Sequence, residues 1–171
     1  MSADPRFVAA QRLRAKGRHE AAVQLLADLL LAATEGKSEQ EQMSFELAPM
    51  YYEYGSSLAS LARASLSDED EDEERSAKRL KSSEPKEDEL KEDDSEEEEG
   101  DEEEDGLLAW KLLDQARCIY ESKVEDEECE ASLRKDARSE LARCCVQLGD
   151  LNCDGGQWCD AIVEYTICFE Q

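Results

Sequence analysis

Residues 131–170 read ASLRKDARSELARCCVQLGDLNCDGGQWCDAIVEYTICFE and describe two helices folded back on each other. Leu133, Ala137, Leu141, Cys144, Leu148 and Leu151 follow at steps of four, four, three, four and three, which draws one apolar stripe along one helix face. Further on, Gly149 is followed after seven residues by Gly156, then after five by Ala161, after four by Tyr165 and after three by Cys168. Small residues at such points let two antiparallel helices approach, and a glycine permits the turn between them.

The same spacing recurs outward from this stretch. Near the start, Gly17 is followed after five residues by Ala22, after four by Leu26 and after three by Leu29. In the middle, Gly55 and Ala62 stand seven apart, and Ala109, Leu113 and Ala116 repeat the four-then-three signature. Between Ala62 and Ala109 lie 47 positions where the flanking pairs use five, a 42-residue expansion of one inter-helix turn. Closing so long a loop is tolerable because its entropic cost grows only logarithmically with length. Apolar stripes at helical spacing run through 7–16, 20–33, 45–66, 107–120 and 158–169, while strand-like alternation is absent. An all-α fold of six helices in three pairs is therefore expected, divided as 1–66, 67–105 and 106–171.

The expanded turn, residues 67–105, holds 23 Asp and Glu against six Lys and Arg in 39 residues. It contains the runs Asp68-Glu69-Asp70-Glu71-Asp72-Glu73-Glu74, Glu96-Glu97-Glu98-Glu99 and Asp101-Glu102-Glu103-Glu104-Asp105. A stretch of this composition buries too little apolar surface to offset its ordering entropy, so it is expected to be a disordered acidic insertion. As a flexible chain it would span roughly 35 Å end to end, further with self-repulsion. At a Debye length of about 8 Å its charges act together on a basic partner at close range. Its acidic residues are thus candidates for binding cationic cargo.

Of the net charge of −25, this insertion carries 6 − 23 = −17, and the remainder of the chain about −8. That sign disfavours nucleic acid and anionic membrane surfaces as direct ligands. No apolar run approaches 18 residues and none of signal-peptide length opens the chain, so a soluble intracellular protein is expected. The seven cysteines, at 118, 129, 144, 145, 153, 159 and 168, are odd in number and several fall on apolar helical phases, which reads as reduced core thiols. Zinc is not expected, because Cys144 and Cys145 are adjacent, Cys153 and Cys159 are six apart, and His19 stands alone.

The hairpin spacing resembles the tetratricopeptide repeat (TPR), and an acidic insertion inside the second repeat resembles the SHNi-TPR family of histone chaperones. The likeness is carried by Tyr51-Tyr52-Glu53-Tyr54-Gly55-Ser56-Ser57-Leu58, by Leu108-Ala109-Trp110-Lys111-Leu112-Leu113-Asp114-Gln115-Ala116-Arg117, and by Leu148-Gly149-Asp150-Leu151 with Ala161-Ile162-Val163-Glu164-Tyr165. The resemblance implies a helical repeat solenoid and a non-catalytic, cofactor-free chaperone. It implies histones H3 and H4 as partners, with linker histone as a further candidate, and a nuclear protein with a cytoplasmic pool. The family continues into a fourth repeat and a closing helix, so a shortened form is expected here. Ile162, Tyr165 and Phe169 would then lie uncovered and open to self-association.

In stacked hairpins the first helix of each pair lines one inner face. Tyr52 and Ser56 of the second pair are expected there opposite Val146, Asp150 and Asp154 of the third, an aromatic and acidic surface suited to a basic amphipathic helix. Tyr51 and Tyr54 read as structural and Tyr52 as the ligand-facing member of the three.

Other signals carry less. Gly36-Lys37-Ser38 lacks the earlier glycine and strand of a phosphate loop and reads as a connecting loop with Ser38 as N-cap. Lys78-Arg79-Leu80-Lys81 reads as a positive spacer in the acidic run, with a small import signal as the alternative reading. Ser67 and Ser95 precede acidic residues, and phosphorylation there would deepen the negative field. No set of residues resembles a catalytic centre. The rival readings are a TPR adaptor for peptide tails of general chaperones, which would need Lys and Arg on the inner face, and an acidic scaffold with an incidental helical body.

Overall fold

Helix formation begins where Asp4 accepts a hydrogen bond from the Arg6 N–H at 2.8 Å and Pro5 takes the first helical position, where a missing N–H costs nothing. The structure, a computed structural model, describes the backbone of residues 4–80 and 98–170, and side chains over 4–64 and 105–169. Its elements are α1 (Pro5–Ala15), α2 (His19–Thr34), α3 (Glu39–Gln42), α4 (Ala48–Leu80), α5 (Glu98–Glu125), α6 (Ala131–Asp154) and α7 (Trp158–Glu170). Among the described residues there is no strand, and the chain is all-α.

Two glycines in the left-handed region make the tight turns: Gly17 at φ 72° between α1 and α2, and Gly156 at φ 70° between α6 and α7. Gly36, at φ 73°, ends α2, and Ser38 then caps α3 through a reciprocal box with Glu41. The stretch 36–38 is the connecting loop expected of it.

α1 packs on α2, α4 on α5 and α6 on α7, so the three expected pairs are present. They stack in chain order through α2 against α4 and α5 against α6, and α1, α4 and α6 touch side by side. The main core runs through Leu30, Tyr51, Leu58, Leu113, Tyr120, Leu141 and Leu148, with Phe45 edge-on to Tyr120 at 5.7 Å. A smaller cluster of Ala10, Ala22 and Leu26 closes the first pair. At Gly55 a methyl group would stand 2.8 Å from the Leu113 side chain and 2.9 Å from the Ala109 carbonyl oxygen, so α4 and α5 meet at contact distance only because that residue has no side chain.

Burial supports a packing role for some of the thiols. Cys144 and Cys145 have no exposed surface and Cys129 is buried, but Cys159 lies exposed on α7. Burial pushes the Cys144 thiol well up and that of Cys145 to about 12, so neither supplies a thiolate at neutral pH.

Three expectations change. The helices flanking the acidic insertion were expected to stop at 66 and resume at 107, whereas α4 continues to Leu80 and α5 begins at Glu98. No glycine or proline interrupts the chain from Ser56 to Ser83, and Glu, Ala, Lys and Arg propagate helix well, which carries α4 to Leu80; α5 is helical from Glu98 although Gly100 and Gly106 lie within it. Residues 81–97, with Ser95, lie outside the described residues, as do the side chains of 65–104 and every acidic candidate except Asp105. The second change concerns α7, where Ile162 and Phe169 are exposed by 64% and 90% as expected, together with Trp158 and Val163. Tyr165 instead turns inward across Gly149. The third concerns the row facing out from α4 and belongs to the candidate site.

Candidate binding face along α1, α4 and α6

Residues 53, 56, 60 and 63 of α4 are spaced three, four and three apart, and 143, 147, 150 and 154 of α6 four, three and four, so each set forms one polar stripe. α1 brings Gln11 and Arg14 alongside. The three stripes bond to one another across the face. Gln11 Nε2 donates to Glu53 Oε1 at 3.1 Å, Arg14 Nη1 donates to the Ser56 hydroxyl at 2.6 Å, and that hydroxyl donates to Gln147 Oε1 at 3.1 Å. Arg14 Nε also lies 3.0 Å from Glu53 Oε2, an ion pair whose acid is almost wholly buried. Further along, Arg63 Nε donates to Asp154 at 2.6 Å, joining α4 to α6.

Two guanidinium groups lie over the Tyr52 ring, Arg143 at 4.6 Å and Arg14 at 5.7 Å from its centre. Tyr52 and Ser56 are therefore not open to a ligand, as the spacing had led us to expect. They are exposed by only 6% and 4%, because α1 and α6 close over this part of α4 from either side. Tyr51 is structural, its hydroxyl donating to the Gln42 carbonyl at 3.2 Å, and Tyr54 is half-buried against both core clusters.

The three remaining candidates fall on the surface in different ways. Val146 is 37% exposed in a shallow depression shared with the Tyr52 edge, Arg143 and Gln147. Asp150 accepts the Tyr165 hydroxyl at 2.7 Å, and this bond to a charged acceptor, with burial, holds the Tyr165 phenol well above its ordinary pKa. Asp154 is more than two-fifths exposed beside Arg63.

Arg14, Arg63 and Arg143 were missed by sequence reasoning, and a signal for two of them was available. Arg63 follows Ser56 by seven residues and Arg143 precedes Asp150 by seven, which is two helical turns on the same stripe. The face is thus a lattice of paired charges of both signs, with Arg143 also bonded to Glu140 at 2.7 Å. His19, the first residue of α2, is half-buried and takes no part in the bonds of this lattice. Among the described residues no group of three His, Cys, Asp or Glu is placed to hold a metal, and no helix is long and apolar enough to cross a membrane. A comparison with models of protein families found none that matches this chain, and no curated protein matches it.

Proposed function

We propose that this chain is a histone chaperone built as a TPR solenoid with an acidic insertion in its second repeat, similar to the SHNi-TPR family. It binds H3–H4, and by the same chemistry linker histone, through the α1–α4–α6 face and the insertion, and supplies histones for nucleosome assembly in the nucleus with a cytoplasmic pool. One observation carries this reading: of three stacked helical pairs, only the second carries, between the packed parts of its two helices, a run of 39 residues bearing 23 carboxylates. A linker would separate domains, whereas this polyanion leaves and re-enters a single hairpin and so stays within reach of the face. Carboxylates concentrated there attract a basic protein, speed its encounter and compete with DNA phosphate. The mechanism is binding and release, with no covalent step and no cofactor.

The test is a titration of H3–H4 into the full chain and into the chain lacking residues 67–105, at several salt concentrations. The expected result is saturable binding whose association rate and salt dependence both fall on deletion. Absence of binding by the full chain overturns the reading, and unchanged kinetics on deletion removes the insertion from it.

A second reading gains from the arginines. A TPR adaptor for carboxylate-ended peptide tails needs cations on the inner face, and Arg14, Arg63 and Arg143 stand there. Their pairing with Glu53, Asp154 and Glu140 weighs against it, since an incoming carboxylate must displace one already in place. An acidic peptide with a free C-terminus, titrated in parallel, separates the two.

A further inference from the structure

The Arg63–Asp154 pair stands on the rim of a groove. Between α4, α5 and the end of α6, Ala59, Ala62, Leu107, Trp110 and Leu151 wall a cleft of 480 Å³ whose other edge is the turn at Gly155. Leu107 and Trp110 are left 54% and 38% exposed at its mouth, so apolar surface faces solvent where a side chain could cover it. Asp105 directly precedes this wall, at the point where the acidic insertion rejoins the fold.

We propose that Asp154 is a cation-receiving position of the binding face, that Arg63 occupies it in the free chain, and that the adjoining groove takes a large apolar side chain from the same ligand. The occupant is a basic peptide segment with a Leu-sized or aromatic residue within one helical turn of a Lys or Arg. This rests on the proposed binding of basic proteins and specifies what part of them is recognised. Three features on this rim argue for it. The groove is mainly apolar, and its volume is ample for a large apolar side chain. The chain as a whole is strongly acidic, with a net charge of −25, which complements a cation and repels an acidic peptide. Finally, both partners of the rim pair are at least one-third exposed, and an ion pair that keeps its water is weak and easily exchanged for another of the same kind. The ligand's cation replaces Arg63 on Asp154, and Arg63 swings out into a field of net negative charge. Arg63 thus competes with cargo for the same acid.

The signs of the mutational effects then oppose one another. Removing Arg63 frees Asp154 and tightens binding, whereas removing the Asp154 charge weakens it, although either change breaks the same pair. The experiment uses the full chain carrying Trp158→Phe, so that Trp110 is the sole indole. The probe is a fluorescein-labelled 16-residue Lys/Leu amphipathic peptide, with Leu→Ala and Lys→Glu versions, followed by anisotropy at fixed salt. Circular dichroism checks that each variant is folded.

Arg63→Gln is expected to bind the Lys/Leu peptide about threefold tighter and Asp154→Asn about fivefold weaker, with Arg63→Lys close to the parent and the double variant close to Asp154→Asn. Trp110 emission should shift to the blue with the Lys/Leu peptide and stay fixed with its Ala version. Binding by Arg63→Gln that is equal to or weaker than the parent's, or an indole that ignores the Leu side chain, overturns the proposal. Should the parent still bind H3–H4 in that case, only this proposal fails; should it bind neither histones nor the peptide, the chaperone reading fails with it.

Discussion

Tyr165 lays its ring across Gly149 and sends its hydroxyl to Asp150 at 2.7 Å, so one side chain of α7 uses two consecutive residues of α6. A methyl group at position 149 would meet the ring at 2.5 Å, closer than van der Waals contact permits. Gly149→Ala is therefore expected to lower stability by about 1–2 kcal/mol, an overpacking cost larger than the helix-propensity gain of about 1 kcal/mol. Urea unfolding checks it, and combining the change with Tyr165→Leu should recover most of the loss. Equal or greater stability of the single variant would mean that α7 slides freely.

The same pair makes the chain sensitive to alkali. The Tyr165 phenol titrates higher when folded than when unfolded, first because Asp150 accepts its proton in a hydrogen bond and then because it is partly buried. A raised value favours the neutral form, so this contribution is complete below the unfolded value of about 10 and is lost as pH rises above it. Burial raises Tyr120 in the same direction. The urea midpoint should fall above pH ~10, and Tyr165→Phe should make that fall shallower while removing about 1 kcal/mol at neutral pH.

Glu164 has the opposite character from a salt-bridged acid. One carboxylate oxygen is buried without a hydrogen-bond partner, and burial raises its pKa despite the Arg117 charge nearby. A raised carboxyl value adds stability on the acid side that disappears as pH climbs through it, so the ionised form is a liability at pH 7. Glu164→Gln should stabilise the fold there by up to about 1 kcal/mol, with no gain at pH 4. A destabilised Gln variant at pH 7 would show that attraction to Arg117 prevails.

Arg14 ties the first pair to the second through Glu53 and Ser56. Arg14→Ala leaves the Glu53 carboxylate buried without its cation and is expected to cost about 2–4 kcal/mol by thermal or urea unfolding. Replacing both Arg14 and Glu53 with Met should return stability to within about 1 kcal/mol of the parent, since the apolar pair fills similar volume.

The outer side of α7 exposes Trp158, Ile162, Val163 and Phe169 together. Such a face associates in water, so light scattering should report a mass that rises with protein concentration. Ile162→Glu with Phe169→Ser should hold the chain monomeric. A parent that scatters as a monomer at every concentration would count against this.

Local periodicity was enough to read six main helices and their grouping in pairs, because a stripe at three-and-four spacing is a property of one helix. The roles of Gly17, Gly156 and Gly55 were legible for the same reason, as they act within one hairpin. Which residues of the stripe remain open to a ligand was not. Tyr52 and Ser56 carry the right spacing for an exposed face, but the neighbouring pairs close over them. Arg14 finds Glu53 and Ser56 at separations of about forty residues, and Arg63 finds Asp154 across 91. Such partnerships depend on how one hairpin tilts on the next, which sums many small contacts over the whole stack. The elements and their pairing were thus determined by the sequence alone. Only the tertiary structure decided which charges neutralise one another and which stay available, because that choice is made between helices rather than along them.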